Sequence, residues 1–373
     1  VPVGDAVAVA LVRRVAGDRV AAVAFVQPDR DDGVRLVDLG PTLGDAPPPR
    51  LAPRGGEVVA VIYPLQKAGA RGPGAPVETG GAGRTLQLRA LTADGASTLF
   101  SLDEPRDDSL ATDVAVVGDR GLVVWDEATS EPRGIIRGAP FAGRQRVGAT
   151  LDLSPKDSDA DSPRAVPFGK GYAVAWIARA PDPDVSLGDG SDFEVPGETR
   201  TRGWVELVLV DDRGTPTGPP RRLTAPTGHV SAFDLLPPQS PPAPAGVQGA
   251  APTLLVVARD DGETVDGSGG TLLRVRVGAE LVEPPVAFTH DGLGRGAPLF
   301  IEGPATWLTW VGPAEHMRLL GLDASGAPGG LPSAEEAMDE TRPVLGLRSG
   351  NLLVEAPADP VRQLRTFSCA PKP

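Results

Sequence analysis

A ten-residue pattern, Asp-x-x-Gly-x-Pro-x-Gly-x-Pro, occurs twice in this chain. It reads Asp211, Gly214, Pro216, Gly218, Pro220, and again Asp323, Gly326, Pro328, Gly330, Pro332. The copies stand 112 residues apart, from Asp211 to Asp323. Each follows an apolar run, Val205 to Val210 and Leu319 to Leu322, so each reads as a strand entering a Gly-containing turn. A pattern repeated at this distance constrains the chain to a repeat architecture before any other feature is weighed.

A second repeat lies over the first: a short strand, a tight polar turn, then a strand ending in a bulky residue. Its clearest copy is Pro163–Phe168 followed by Tyr172–Trp176. Further copies are Ala6–Val12 with Val20–Phe25, Arg50–Pro53 with Val58–Tyr63, Asp113–Val117 with Leu122–Trp125, and Val230–Leu236 with Thr253–Val257. Ala297–Ile301 with Trp307–Trp310 and Pro343–Leu347 with Asn351–Val354 complete the set. An offset of 112 over two units gives about 56 residues each, and seven such units approach the 373 residues present. The units run approximately 5–47, 48–109, 110–160, 161–227, 228–294, 295–340 and 341–373, within a single domain. The second strands are unbroken apolar runs, such as Val58-Val59-Ala60-Val61-Ile62, which require cover on both sheet faces. Gly (47 residues) and Pro (41) punctuate the chain too often for long helices. A capping-box start at Ser333-Ala-Glu-Glu336 predicts one short helix.

On these residues the chain resembles β-propeller repeat proteins over essentially its whole length. The unit length is similar to that of kelch-type blades. Trp125-Asp126, without a companion Gly-His, matches WD40 repeats poorly. The resemblance implies an all-β, seven-bladed propeller of four-stranded antiparallel blades. The last unit lacks an obvious fourth strand after Val361–Cys369, so residues near Val1 are expected to close the ring. Two stacked β-sandwiches are the alternative.

Formal net charge is −13, which opposes phosphate backbones and anionic surfaces and argues against nucleic acid as partner. No apolar run reaches the length of a membrane span. The chain starts at Val1 without an initiator Met, which reads as a processed product. The expectation is an exported bacterial protein of the periplasm, outer-membrane surface or extracellular space. Cys369 is the single cysteine and can form no intrachain disulfide.

In antiparallel blades, alternate loops share a rim. Sorted that way, one rim collects Asp107, Asp108, Asp126, Glu127, Asp182, Asp184, Asp189, Asp192, Glu194, Asp260 and Asp261 among others, while the opposite rim mixes both signs. Solubility needs charge but not a side. The reading is therefore a non-catalytic interaction module that holds a basic protein surface through Asp182, Asp184, Asp189, Asp192, Glu194, Asp107 and Asp108. Asp157-Ser-Asp159-Ala-Asp161 offers hard oxygens and makes Ca²⁺ a candidate ligand, with no other cofactor indicated. It departs from the EF-type loop at Ser162 and Phe168, and a solvated acidic turn is the plainer reading.

His229, His290 and His316 stand in unrelated contexts, and no nucleophile-elbow, zincin or P-loop motif is present. Facing carboxylates would suffice for a glycosidase, so a glycan hydrolase, lyase or lectin at the acidic rim is the alternative. Aromatic residues are 4% of the chain. Trp125, Trp176 and Trp310 hold matching second-strand positions, which suits packing, and Trp204 alone lies near the 181–202 insertion with Phe193.

Overall fold

The computed structural model describes residues 1–27, 33–42, 44, 46–65, 85–102, 111–128, 133–181, 201–238, 252–262, 270–287, 293–294, 296–301, 306–312, 317–323, 326–329, 333–334, 342–346, 352–358 and 361–367. The chain divides into two compact units. One comprises Val1–Lys156, Asp161–Val174 and Val208–Gly218; the other comprises Asp157–Ala160, Ala175–Leu207 and Pro219–Pro373. Among the described residues every regular element is a β-strand, and no helix is long and apolar enough to cross a membrane.

The first sheet runs in the order β1 (Pro2–Val3), β2 (Ala6–Val15), β3 (Asp18–Val26), β4 (Val34–Pro41). The second is β5 (Arg50–Arg54), β6 (Glu57–Ile62), β7 (Leu86–Thr92), β8 (Gly95–Leu102). The third contains β9 (Thr112–Val117), β10 (Arg120–Ala128) and β11 (Gly134–Ala142), with β12 (Gln145–Arg146) and β13 (Leu151–Asp152) both on β11. The fourth is β14 (Asp159–Phe168), β15 (Gly171–Pro181), β16 (Thr201–Val210), β17 (Arg221–Arg222). The fifth is β18 (Val230–Leu236), β19 (Leu254–Asp260), β20 (Thr271–Val277), β21 (Val286–Ala287). The sixth is β22 (Leu299–Ile301), β23 (Thr306–Val311), β24 (Met317–Leu322), β25 (Ser333–Ala334), and the last β26 (Arg342–Gly346), β27 (Leu352–Ala358), β28 (Val361–Phe367). Each expected hairpin is present among the described residues.

The apolar runs become second strands buried on both faces. Val58 to Ile62 on β6 are 0–3% exposed. Val59, Val61 and Leu88 of the second sheet pack in one cluster with Val114, Val123 and Trp125 of the third. Each such side chain removed from water contributes about 1.5–3 kcal/mol. Trp125, Trp176 and Trp310 are all buried, the packing role their positions predict. Two carboxylates join successive sheets. Asp113 on β9 accepts from Ala165 N of β14 at 3.0 Å, and Asp234 on β18 accepts from Phe300 N of β22 at 2.8 Å. The sequence reading missed both.

The repeated pattern folds alike in its two copies. Asp211 Oδ1 accepts from Thr215 N at 2.8 Å, as Asp323 Oδ1 does from Ala327 N at 2.9 Å. Gly214 and Gly326 each donate to the aspartate carbonyl and take φ +82 and +74. Each loop rests on the preceding sheet, but unequally. A Cβ on Gly214 would meet Pro140 Cβ at 3.3 Å, whereas one on Gly326 would meet Leu255 Cδ2 at 2.7 Å. Left-handed φ costs an alanine about 1–2 kcal/mol at either site. Gly326→Ala is therefore expected to lower the urea midpoint more than Gly214→Ala, and equal losses would show that Leu255 gives way freely.

Two expectations are corrected. Among the described residues the N-terminal segment pairs within the first sheet and not with the last: Pro2 and Val3 pair with Val7 and Ala6, and Val1 and Ala8 exchange backbone hydrogen bonds of 2.8 Å. A two-residue turn at Gly4–Asp5, with Gly4 at φ +57, closes a short loop at far lower entropic cost than a distant pairing. The last sheet has three strands among the described residues. The helix expected from Ser333 is also absent at its start, where Ser333 and Ala334 pair with Leu319 and Arg318 as a strand. Ladder bonds to β24 satisfy these backbone groups in place of a cap. The remainder of that segment lies outside the described residues.

Candidate functional site

Of the residues expected to bind a partner, Asp107, Asp108, Asp182, Asp184, Asp189, Asp192 and Glu194 lie outside the described residues. So do Phe193, His290, His316 and Cys369. Asp157, Asp159 and Asp161 are described, yet no group of three or more His, Cys, Asp or Glu side chains that could hold a metal converges among the described residues. The other described acids of that rim serve the fold. Asp126 accepts from Ser162 N at 3.3 Å, Glu127 pairs with Arg137 at 3.0 Å, Asp260 accepts from His229 N and Gly262 N at 3.0 Å, and Asp261 pairs with Arg259 at 2.5 Å.

A different cluster sits on the fourth sheet, within the second compact unit. Along β16 the residues alternate: Gly203, Val205 and Leu207 are buried, while Arg202, Trp204 and Glu206 are half-buried on the other face. Gly203 allows β16 to approach Val230, whose carbonyl oxygen would stand 2.5 Å from a Cβ. The two-residue strand β17 sets Arg222 opposite Glu206. The Arg222 guanidinium lies 5.0 Å from the Trp204 ring centroid, a cation–π contact. Trp204 Nε1 donates to Glu206 Oε1 at 2.9 Å, which fixes the carboxylate, and Glu206 Oε2 is shielded from solvent with nothing donating to it. A shielded carboxylate oxygen without a donor costs stability, so this oxygen favours any hydroxyl or water that can reach it. His229 lies nearby in sequence pairing, its Nδ1 3.2 Å from Thr201 O. Trp204 was visible in the sequence; Arg222 was not, because its register depends on the whole turn of residues 211–220.

In the first unit, Tyr172 is fully buried at the start of β15 and its hydroxyl has no partner. Burial, reinforced by the charge of Asp212, pushes the phenol up to about 12 from 10.0. An unfolded tyrosine releases its proton above pH 10 while the folded one retains it, so stability is intact below pH 10 and falls as pH climbs towards 12. Tyr172→Phe should show a flatter decline than wild type between pH 10 and 12 in urea titrations, with no loss at neutral pH. Parallel curves would show that Tyr172 ionises normally.

No protein-family model and no curated protein matches the sequence. Among solved structures, the chain is similar to the β-propeller domain of the Trilobed protease from Pyrococcus furiosus, described as having an open velcro topology. The identity is 11%, the TM-score 0.52, and 99% of this chain and 94% of that chain are covered. The fold is accordingly an all-β propeller of antiparallel sheets. Weaker likenesses are to the fucose-specific lectin of Aleuria aurantia (10% identity, TM-score 0.44, 88% and 95% covered) and the catalytic domain of a Coprinopsis cinerea α-L-arabinofuranosidase (11%, 0.34, 68% and 88%). Enzymes stand among the similar structures, which corrects the expectation that the chain is not an enzyme; that exclusion is withdrawn.

Proposed function

We propose that this propeller recognises glycans, with Trp204, Glu206 and Arg222 as a contact subsite. One observation carries the reading: Glu206 is held by the indole N–H on one oxygen, while its other oxygen lacks a donor beside a cation-capped ring. Vicinal hydroxyls have the complementary chemistry. One donates to the carboxylate, another accepts from the guanidinium fork, and the sugar's C–H edge lies against the half-buried indole. The seven units and an exported location belong to the same proposal.

Calorimetric titration with a panel of neutral and acidic oligosaccharides tests it. Trp204→Ala and Glu206→Gln are each expected to weaken binding about tenfold or more, roughly 1.4 kcal/mol. Product analysis of the same mixtures reads whether the bound glycan is cleaved. A panel with no binder, or unchanged affinity in both variants, removes the proposal. A second reading, a basic protein partner at the acidic loops, is favoured by the formal charge of −13. Its binding should weaken steeply between low and high salt, and salt-insensitive capture would exclude it.

A further inference from the structure

The first sheet is built differently from its neighbours, and the difference leaves one strand edge open. In the second to sixth sheets the most apolar strand is second in order, and a further strand lies outside the third: β8, β12, β17, β21 and β25. In the first sheet the buried apolar strand is β3, third in order, because β1 has been added on the side of β2. Strand β4 therefore ends the sheet; at its far end Pro41 O accepts from Leu65 N at 2.9 Å and Thr42 bridges Pro64, while along Val34–Val37 nothing among the described residues pairs with its outer side.

The ladder shows which groups are free. Gln27 N donates to Gly33 O at 2.7 Å, and the pairs continue through Val26–Val34, Phe25–Arg35, Ala24–Leu36 and Val23–Val37. Hydrogen-bonded and non-bonded pairs alternate in an antiparallel ladder. Arg35 and Val37 thus bond towards β3, while the N–H and C=O groups of Val34 and Leu36 point away from it. Their side chains share one face and are 59% and 44% exposed. On the other face Arg35 is tied to Asp94 at 3.1 Å. An open edge flanked by exposed apolar side chains is a template for another strand.

We propose that β4 accepts an extended peptide segment of a basic partner by strand addition, filling the place that β8, β17, β21 and β25 fill in other sheets. Two observations select this occupant. Five residues of edge bury far less than the ~1,200 Å² that a stable folded interface needs, whereas strand addition draws on main-chain hydrogen bonds. The formal charge of −13 attracts a basic segment and repels a second copy of this chain. The peptide should carry apolar side chains at alternate positions, to cover Val34 and Leu36, between flanking lysines.

The test uses the whole chain and a fluorescein-labelled peptide, Lys-Lys-Val-Thr-Val-Thr-Val-Lys, followed by anisotropy. Leu36→Pro removes only an outward N–H, because that donor forms no rung with β3. It should keep the wild-type melting midpoint and weaken binding at least tenfold. N-methylation of every second peptide amide should abolish binding in one phase and spare it in the other. Absence of binding at millimolar peptide, equal affinity in Leu36→Pro, or equal effects of the two methylation phases would overturn the proposal. So would sedimentation showing that wild type self-associates and Leu36→Pro does not, which would assign the edge to a second copy.

Discussion

Gly171→Ala is expected to remove at least about 3 kcal/mol of stability, the upper range for a single substitution. Gly171 opens β15 directly beside the end of β16. A Cβ there would stand 2.1 Å from Val210 O, 2.9 Å from Asp211 C and 3.0 Å from Asp211 Cα. All three atoms are backbone, so no rotamer change relieves the overlap. The backbone cannot withdraw either, because Asp211 begins the repeated turn and is fixed by its bonds to Arg213 N, Gly214 N and Thr215. Gly169→Ala, two residues earlier, supplies the comparison. Its φ is +61 but nothing lies within 4 Å of its Cβ position, so it should cost only about 1–2 kcal/mol. Urea midpoints of the two variants separate steric exclusion from backbone strain. A Gly171→Ala loss no larger than that of Gly169→Ala would mean that the two strands do not approach so closely.

The contrast between these neighbouring glycines also shows what was legible in the sequence. Turns were legible where a side chain acts on its own backbone. Asp211 and Asp323 organise their loops through bonds two to four residues away, and the ten-residue pattern records that chemistry directly. Second strands were legible because burial on both faces forces unbroken apolar runs, as at Val58 to Ile62. Pairing choices between short segments were not. Pro2–Val3 and Ser333–Ala334 are two-residue strands whose partners depend on what the adjoining turn brings within reach. The same holds for Trp204, Glu206 and Arg222. Two of them share a strand at i and i+2, but the third arrives through a two-residue edge strand sixteen positions later in the chain. Asp113 and Asp234 were hidden for another reason. Each reaches a strand of the next sheet, more than fifty residues on, and their spacing to that target is unequal.

Gly121→Ala is expected to cost roughly 2–4 kcal/mol, and adding Phe141→Leu in the same chain should cost clearly less than the two single losses together. Gly121 on β10 pairs directly with Phe141 on β11. The aromatic ring lies over the glycine, with Cζ 2.1 Å from where a Cβ would be and Cε1 at 2.4 Å. Phe141 is 1% exposed and tilts against Phe100 at 5.7 Å between ring centroids, so the ring cannot swing into solvent. An added methyl must displace it within a packed cluster that includes Leu88, Val116 and Trp125. Overpacking of this kind typically costs about 1–3 kcal/mol, with more where neighbours are rigid. Phe141→Leu alone leaves part of the ring's volume empty and should itself destabilise by about 2 kcal/mol. The double variant is then more stable than the sum of single losses predicts, and the coupling measured by the cycle should reach about 1–3 kcal/mol. Strict additivity would show that the ring does not cover the glycine. Coupling of the expected sign ties the third sheet's register to this one glycine–aromatic pair, since a one-residue slip would set Phe141 against Arg120 or Leu122 instead.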